Sequence, residues 1–381
     1  MSAREPSTLS LYVHVPFCSS RCGYCDFNTY TATELGGEVR RDTFHEVLAA
    51  EVRLAAEQLG TSQQVSTVFI GGGTPTLLGS SGLNFVLGEI RSSFGLVDGA
   101  EVTTEANPDS VDQTMLEELR AGGFTRMSFG MQSAAPRVLQ VLERTHTPGA
   151  SVQAAKWARE VGFEHVNLDL IYGTPGESDD DLKASVDIAV STGIDHLSAY
   201  ALIVEEGTAL SRRIARGQIP APDDDVCADR YELIDQLMSA AGMPWYEVSN
   251  WARPGGQCQH NLAYWRSQDW WGIGPGAHSH IDGTRWWNIK HPAPYAERIR
   301  ASESASGGHE LLTIDDLRVE QVMLGVRLAE GLPVSVVDEA AIAGLVARGL
   351  IEQPAPCDGR VQLTLAGRLL ADAVIRDLLV G

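Results

Sequence analysis

Three cysteines near the start of the chain are the residues of this sequence best suited to chemistry. Cys18, Cys22 and Cys25 lie within eight residues of one another. Zinc sites usually pair cysteines as CxxC with a second pair far away, and disulfide frameworks spread their cysteines along the chain. Three thiolates on one loop instead suit three corners of an iron-sulfur cube. Because three ligands leave one iron open, the spacing predicts a cluster that binds a ligand or does chemistry.

The other three cysteines are scattered along the chain as Cys227, Cys258 and Cys357. Nothing in their spacing matches the first three, so we interpret them as bystanders. Cys258 lies two residues before His260 and is therefore a weak candidate for a metal ligand.

The elements that would position these residues follow a βα rhythm. A β-branched or aromatic run followed by an amphipathic stretch recurs six times in the first two thirds of the chain, which is typical of a parallel sheet. Helical spacing predicts a helix at residues 44–59, and an acidic first turn opens another at 179–192. Six βα units predict an α/β fold, either an open sheet or a curved, incomplete barrel. The strands are predicted at residues 9–15, 65–71, 101–106, 126–131, 165–171 and 196–202.

Five consecutive predicted strands carry a glycine loop or a polar group near their carboxyl ends. Taken singly, each such residue is explained by a cap or a turn. Taken together they favour one shared site, because ligands of parallel α/β folds gather at the carboxyl ends of the strands. The residues are Gly71-Gly72-Gly73-Thr74-Pro75, Glu105, Gln132, Asp169 and Tyr200.

Tryptophan is concentrated in one part of the chain. Seven of the eight tryptophans lie from Trp245 to Trp287, together with His260, His278 and His280. Such a concentration of large flat rings suits either a broad apolar ligand or an ordinary interdomain core, and the sequence leaves both open.

The remainder of the chain is predicted to form a small C-terminal domain. Residues 301–310, rich in Ser, Ala and Gly, resemble a linker. Helices at 314–328 and 336–348, a hairpin of 350–353 with 361–365 and a last helix together resemble a winged helix. We therefore predict a barrel at 1–225, a Trp- and His-rich extension at 226–300 and the C-terminal domain at 301–381.

The charge balance limits the classes of partner. Fifty acidic and 29 basic residues give a formal net charge of -21, which argues against a phosphate-binding surface and so against nucleic acid. The acidic C-terminal domain is accordingly expected to pack or to bind a partner protein rather than DNA. No apolar run of eighteen residues and no secretory signal are found in the sequence, so we expect a cytoplasmic protein without direct membrane insertion.

The pattern CxxxCxxC after a first strand, with Tyr24 before the last cysteine, resembles the radical S-adenosylmethionine superfamily. That resemblance implies an incomplete (β/α)6 barrel and a 4Fe-4S cluster on Cys18, Cys22 and Cys25. In the superfamily the amino and carboxylate groups of S-adenosylmethionine chelate the open iron, and one electron from the cluster cleaves it to a 5'-deoxyadenosyl radical. The glycine loop after strand two fits, since glycine permits close approach of backbone to ligand.

A narrower resemblance covers nearly the whole chain. HVPFCSSRCGYCDF, FIGGGTPT, TEANPD, RMSFGMQS and NLDLIYGTPGE are similar to the oxygen-independent coproporphyrinogen III oxidase family. Glu105 and Arg144 can pair with the charged amino and carboxylate groups, respectively. Asp169 and Gln132 suit hydroxyl or amide contacts. Tyr24 is a stacking candidate for the adenine. The implied S-adenosylmethionine contacts are Tyr12, Gly72, Gly73, Thr74, Glu105, Gln132, Arg144 and Asp169.

Two departures from the oxidase pattern point to another branch. The oxidases continue as CxxxCxxCxC, whereas this chain has Phe27 at the fourth position, and they carry an N-terminal extension ahead of the residue that corresponds to Tyr12. Both departures put decarboxylation in doubt. The same features mark the HemW-type heme chaperones, which resemble the oxidases but bind heme and pass it to acceptor proteins.

The HNxxYW signature of those chaperones occurs here from His260 to Trp265. An imidazole is a good axial ligand for heme iron, and Tyr264 and Trp265 could cover a porphyrin face. His260 is thus the first candidate for a heme ligand, with His278 and His280 as alternatives. Outside this context a lone histidine is more often a satisfied core residue.

The favoured hypothesis is a heme carrier that holds a cluster and S-adenosylmethionine, delivers heme to an acceptor protein and needs an electron donor if radical chemistry occurs. The main alternative is oxidative decarboxylation of coproporphyrinogen III. A third is a radical enzyme acting on another substrate, and the sequence leaves open whether the chain is an enzyme at all.

Overall fold

The structure is a computed structural model, and it describes residues 9–35, 39–60, 63–355 and 359–379. The strands are β1 (Leu9–Val15), β2 (Val65–Gly72), β3 (Leu96–Ala106), β4 (Arg126–Gln132), β5 (His165–Tyr172), β6 (His196–Ala201), β7 (Trp245–Glu247), β8 (Asn250–Ala252), β9 (Trp270–Ile273), β10 (His278–Ile281), β11 (Thr284–Asn288), β12 (Ser306–Leu311), β13 (Leu332–Pro333) and β14 (Arg360–Val361). The α-helices are α1 (Ala32–Leu35), α2 (Phe44–Leu59), α3 (Gly79–Ser93), α4 (Gln113–Gly122), α5 (Pro136–Val141), α6 (Ala150–Val161), α7 (Asp179–Ser191), α8 (Ala209–Ala215), α9 (Asp224–Ala240), α10 (Gln259–Trp265), α11 (Pro292–Arg300), α12 (Ile314–Gly325), α13 (Glu339–Ala347), α14 (Leu365–Leu369) and α15 (Ala371–Leu379).

The six predicted strands form the centre of the molecule. β1 to β6 lie side by side in chain order, and each pairs in parallel with the next. Their residues are almost continuously buried, as expected for parallel strands covered by the crossover helices. The α/β prediction of an incomplete (β/α)6 barrel is confirmed, and the largest difference in strand bounds is that β3 begins at Leu96 rather than at residue 101.

The Trp- and His-rich stretch extends the barrel sheet at both edges. β8 and β7 add antiparallel strands beside β6, and β9 pairs in parallel with β1 on the other side. β10, β11 and β12 continue from β9 as antiparallel strands, which gives a 12-stranded sheet. α10, which carries the HNxxYW sequence, follows β8 and contacts β2, so it reaches from one side of the barrel to the other.

The prediction of a linker at residues 301–310 is wrong over its second half. Residues of β12 pair antiparallel with β11 along its length. In the sequence, Gly308 contributes to the linker-like composition of this stretch. In the structure, a Cβ at Gly308 would lie 2.6 Å from the ring of Trp287. The glycine is therefore needed for a close approach within the sheet.

The C-terminal region is mainly helical and has its own apolar core. Val322, Val326, Val361 and Val374 belong to that core. The predicted hairpin pairs as expected, since Ile351 and Leu363 form an antiparallel bridge flanked by hydrogen bonds from Glu352 N to Gln362 O and from Thr364 N to Leu350 O. β14 also pairs with β13, which the sequence did not predict. The Arg360 side chain fixes this pairing because it donates to the carbonyl groups of Glu330 and Gly331 just before β13. The three-part domain division stays a prediction. Among the helices of the described residues, none combines the length and the apolarity needed to cross a bilayer.

Candidate functional site

The three clustered cysteines lie on the loop that follows β1. All three are free and partly exposed, and the loop is tied down by backbone hydrogen bonds from Cys18 N to Tyr30 O (3.0 Å) and from Tyr30 N to Pro16 O (2.7 Å). They open onto a cavity, which we call the cysteine pocket. The predicted cluster ligands and S-adenosylmethionine contacts line it, with the exception of Tyr12: Cys18, Cys22, Tyr24, Cys25, Gly72, Gly73, Thr74, Glu105, Gln132, Arg144 and Asp169.

The glycine loop after β2 packs directly on the cysteine loop. A Cβ on Gly73 would lie 2.4 Å from the Phe17 carbonyl oxygen and 3.0 Å from Cys18 Sγ. The N–H groups of Gly73 and Thr74 donate to the carbonyls of Val15 and Phe17 at 2.8 and 2.7 Å. Because these N–H groups already have acceptors, the loop presents carbonyl oxygens, and not N–H donors, to a ligand. Carbonyl oxygens suit an ammonium group.

Glu105 and Asp169 place two buried carboxyl groups in the cysteine pocket. Glu105 accepts a hydrogen bond from Gly72 N at 3.0 Å, and burial, with Asp169 nearby, raises the pKa of Glu105 to about 8. Asp169 accepts from the Asn167 amide at 2.7 Å and from the Ser128 hydroxyl at 3.2 Å. Burial also raises the pKa of Asp169. The pair is thus less negative at neutral pH than two ordinary carboxylates, and a cationic ligand group would restore its charge.

Gln132 and Arg144 occupy strained or charged positions on the same pocket. Gln132 has φ 65° at a register shift between β4 and β5, and a non-glycine residue in this conformation is characteristic of functional sites. Arg144 donates to Cys22 Sγ at 3.4 Å and to the Gly130 carbonyl at 3.1 Å. It therefore brings a fixed positive charge beside the predicted cluster ligands.

A second cavity lies inside the barrel and shares Glu105, Ser128 and Asp169 with the cysteine pocket. We call it the barrel chamber, and three predicted residues that do not line the cysteine pocket line this chamber: Tyr12, Tyr200 and His260. The Tyr12 hydroxyl donates to His14 Nδ1 at 2.9 Å, since His14 Nε2 donates to the Asn28 carbonyl at 2.9 Å. Tyr12 thus lines the same cavity as His260, and the three cysteines line the other.

His260 is fully enclosed, and both ring nitrogens have partners. The Thr67 hydroxyl donates to Ser10 Oγ, so it accepts from His260 Nδ1–H at 2.8 Å. The Nε2 lone pair then faces the Tyr264 hydroxyl at 2.9 Å. Burial lowers the pKa of His260 to about 4. The ring is neutral, with its Nε2 lone pair directed at one movable hydroxyl, which is the state a metal ligand requires.

The alternative histidines and the remaining cysteines lie elsewhere. His278 is exposed and His280 is buried beside the Trp270 ring, and neither belongs to the chamber lining. Cys258 does line the chamber, where its thiol approaches Glu101 at 3.4 Å and burial raises its pKa, so it stays protonated. Cys227 packs against Gly173, and Cys357 lies outside the described residues.

The sequence reasoning missed a set of inward-facing polar residues on the strands. Glu101 on β3 accepts from the N–H groups of Gln259 and His260 at 3.1 and 2.9 Å, and from Arg126 Nε at 3.0 Å. It thereby holds the first turn of α10 against the barrel. Polar residues at every second position, as in Glu101, Thr103 and Glu105, were the available signal, because alternate residues of a strand share one face.

Comparisons with known proteins agree on one family. The model of the radical SAM superfamily matches residues 12–189. A protein of Mycobacterium tuberculosis named heme chaperone HemW is 55% identical over 97% of this chain and 94% of its own length. The chain belongs to the HemW family. A Bacillus subtilis member with the same name is 32% identical over 96% of this chain and 97% of its own length.

The HemW family fold is close to that of a porphyrin enzyme. The solved structure of coproporphyrinogen III oxidase (HemN) from Escherichia coli, described as a radical SAM enzyme, aligns with a TM-score of 0.83 at 25% identity and covers 99% of this chain and 91% of its own. In this HemW-family chain the phenyl ring of Phe27 is 65% exposed at the rim of the cysteine pocket. The family assignment implies a 4Fe-4S cluster and S-adenosylmethionine as cofactors.

Proposed function

We propose that this protein is a heme chaperone, which binds heme and transfers it to an acceptor protein. The observation that carries the proposal is the 55% identity, over nearly the full length of both chains, with a protein named heme chaperone HemW. Phe27 supports it, since an exposed phenyl ring occupies the position at which the resembling oxidases carry a fourth cysteine.

The cysteine pocket is proposed to hold the cluster and S-adenosylmethionine. A cluster held there would supply an electron to S-adenosylmethionine. Cys18, Cys22 and Cys25 fit as ligands because they are free thiols on one loop that opens onto the pocket. The other site residues would bind and orient S-adenosylmethionine.

Each contact to S-adenosylmethionine then has a physical role. The Gly72 to Thr74 carbonyls and Glu105 would receive the ammonium group, while Arg144 would receive the carboxylate. Asp169 and Gln132 suit hydroxyl and amide groups, and Tyr24 suits the adenine face. Tyr12 lines the chamber, so we propose that it bounds this site from the barrel side.

His260 is proposed as the axial ligand of heme. Its Nε2 becomes available if the Tyr264 side chain moves aside, and its Nδ1–H stays fixed on Thr67. Such a second hydrogen bond orients a ligating imidazole. His278 and His280 remain the alternatives, although they do not line the chamber.

The acidic composition favours protein partners over anionic lipid surfaces. We therefore propose that heme leaves through contact with an acceptor protein, and that radical chemistry, if it occurs, draws on a separate electron donor. A cytoplasmic location stays a prediction.

The alternative function is decarboxylation of coproporphyrinogen III, which the likeness to the HemN structure favours. To separate the two, anaerobically reconstituted protein is titrated with hemin and assayed separately for CO2 release from coproporphyrinogen III. The chaperone proposal expects a saturable Soret shift with about one heme per chain, the single-site expectation for one axial ligand. Decarboxylation at enzymatic rates without saturable heme binding would overturn it.

A further inference from the structure

Arg126 and Thr103 form one corner of the barrel chamber at the end away from the cysteines. They are register partners on β4 and β3, so their side chains point the same way. Both line the chamber, and they are 1% and 0% exposed. Neither residue belongs to the proposed cofactor contacts.

The guanidinium of Arg126 has one nitrogen without a partner. Nε donates to Glu101 at 3.0 Å, and Nη2 donates to the carbonyls of Gly256 and Gln257 at 2.7 and 3.1 Å. Nη1 is buried and has no hydrogen-bond acceptor among the residues that the structure describes. Buried charged donors are normally satisfied because an unmade bond costs the full desolvation penalty.

Thr103 also has a buried polar group without a partner. Its hydroxyl is buried, and within the described part of the chain it has no hydrogen-bond partner. Valine has nearly the same shape and would remove the cost of the unpaired hydroxyl. Two unsatisfied donors on register partners of the chamber lining suit a ligand group with two acceptor oxygens.

We propose that this corner of the barrel chamber is a carboxylate-binding subsite, in which Arg126 Nη1 and the Thr103 hydroxyl each donate to one oxygen of a ligand carboxylate. Its occupant, resting here on the proposed function, is a propionate side chain of heme. The same chemistry would accept a small free carboxylic acid, and the experiment separates these two sources.

The charges around the chamber permit an anion. Arg126 is the residue of the chamber lining that carries a permanent positive charge. Its counter-ion Glu101 is also engaged by the N–H groups of Gln259 and His260. Burial raises the pKa of Glu105 to about 8 and also raises the pKa of Asp169, so the two carboxyl groups of the lining carry less negative charge at neutral pH while no cationic ligand is bound.

The position of the corner suits a heme held by His260. His260 and Arg126 line the same chamber, and Glu101 binds the backbone of one and the side chain of the other. We propose that iron ligation at His260 and propionate binding at Arg126 hold the tetrapyrrole at two points. Two-point attachment gives orientation that a single axial bond lacks.

The test compares hemin with hemin dimethyl ester, whose propionates cannot carry charge. Reconstituted wild-type protein is expected to bind the ester about 10- to 100-fold more weakly, the range for charge-assisted hydrogen bonds. Thr103→Val should lower hemin affinity about 3- to 10-fold, leave ester affinity unchanged and melt at or above the wild-type temperature. Arg126 variants leave Glu101 unpaired, so Thr103→Val carries the test.

The matched control is Thr174→Val. Thr174 is also buried with a hydroxyl that lacks a partner among the described residues, but it lies outside the chamber lining. It should melt like Thr103→Val and bind hemin like the wild type. Loss of hemin affinity in both variants would overturn the subsite, because the effect would then be general.

The remaining outcomes separate the subsite from the proposed function. Equal binding of hemin and its ester, with Thr103→Val unaffected, overturns the subsite and leaves the chaperone proposal standing. If the wild type binds no hemin, the proposed function fails, and propionate is added to thermal melts instead. Propionate that stabilises the wild type but not Thr103→Val supports the subsite for a free acid, and no stabilisation overturns it.

Discussion

Single residues in the two cavities owe their properties to neighbours from other strands. Glu105 takes its raised pKa from burial and from Asp169 on β5. His260 takes its neutral state from burial and its tautomer from Thr67 on β2. These side chains would be ordinary in water, and the barrel interior gives them the protonation states that ligand binding uses.

We predict that S-adenosylmethionine affinity rises with pH between about 6 and 8. Free Glu105 has a pKa of about 8, and an ammonium group beside it lowers that pKa, so binding releases a proton. Affinity therefore rises as the free carboxyl ionises, by up to about tenfold per pH unit, and the ligand's own α-amino group, with a pKa of about 8, ends the rise.

Isothermal titration calorimetry of reconstituted protein in buffers of different ionisation enthalpy measures both the affinity and the protons released. Glu105→Gln is expected to bind more weakly and without proton release near pH 7. A wild-type affinity that falls from pH 6 to 8 would contradict the role given to Glu105.

Gly73→Ala is predicted to prevent cluster assembly. The added Cβ would lie 2.4 Å from the Phe17 carbonyl oxygen and 3.0 Å from Cys18 Sγ, so the glycine and cysteine loops must separate. Iron per chain after anaerobic reconstitution should fall well below the wild-type value.

The control for that substitution is Gly88→Ala in α3, where a Cβ would meet no atom within 4 Å. It should keep its iron and gain up to about 1 kcal/mol in the free energy of unfolding, from helix propensity. Wild-type iron content in Gly73→Ala would contradict the packing argument.

At the scale of elements, α10 closes the chamber and depends on Glu101 for its position. This helix has seven residues, too few to be stable alone. The carboxylate of Glu101 accepts from two N–H groups in its first turn, where negative charge also suits the helix dipole. His260 is thus held in place from its own backbone.

Glu101→Gln is predicted to lower the free energy of unfolding by about 3 to 5 kcal/mol, because Arg126 becomes a buried charge without its partner. Burial raises the pKa of Glu101, but Arg126 and the amides of α10 outweigh it, so the pKa is lowered overall. A lowered pKa gives stability that is present above the unfolded-state value of 4.5 and is lost as pH falls.

Denaturant unfolding at pH 7 and at pH 4 tests both statements. The variant should lose less stability than the wild type on acidification. Glu164→Gln is the control, since Glu164 pairs with Arg120 at the surface and should change stability by less than about 1 kcal/mol. Equal losses in the two variants would contradict the role given to Glu101.

At the scale of the whole molecule, Arg368 links the C-terminal region to the barrel. Arg368 in α14 makes two 2.8 Å bonds to Asp235 of α9, and its guanidinium lies 4.4 Å from the Trp245 ring centre. Ala329 N also donates to Tyr246 O at 2.9 Å. The region has its own core, and ion pairs of Glu330 with Arg266 and of Glu320 with Arg285 also join it to the preceding part of the chain, so the Arg368 contacts contribute to its docking.

Arg368→Ala is predicted to expose the docking face while the barrel stays folded. Asp235 would be left as a partly buried charge without its partner, at a cost of about 3 kcal/mol or more. Hydrogen exchange should speed up in residues 359–379 and leave β1 to β6 unchanged. Arg348→Ala, which removes a half-exposed pair with Asp377, is the control, and equal exchange in both would contradict the assignment.

Local spacing determined much of this protein from the sequence alone. Glu105, Gln132 and Asp169 are predicted to share a site with the glycine loop, and they line one pocket with Gly72, Gly73 and the three cysteines. This worked because parallel strands carry their carboxyl ends to one edge. Tyr200 belongs to the same prediction but lines the chamber instead. The six strands were predictable for a separate reason, because each strand carries its own apolar pattern.

Tertiary structure decided what depends on residues distant in sequence. Glu101 meets α10 and Arg126 meets the carbonyls of Gly256 and Gln257 across more than a hundred residues, and periodicity cannot encode such contacts. The linker prediction fails at β12 because Gly308 is required by the close approach of Trp287, which lies on another strand. The sequence by itself therefore predicted most of the residues that line the cysteine pocket. Packing alone created the chamber, because a cavity is defined by side chains that meet only after folding.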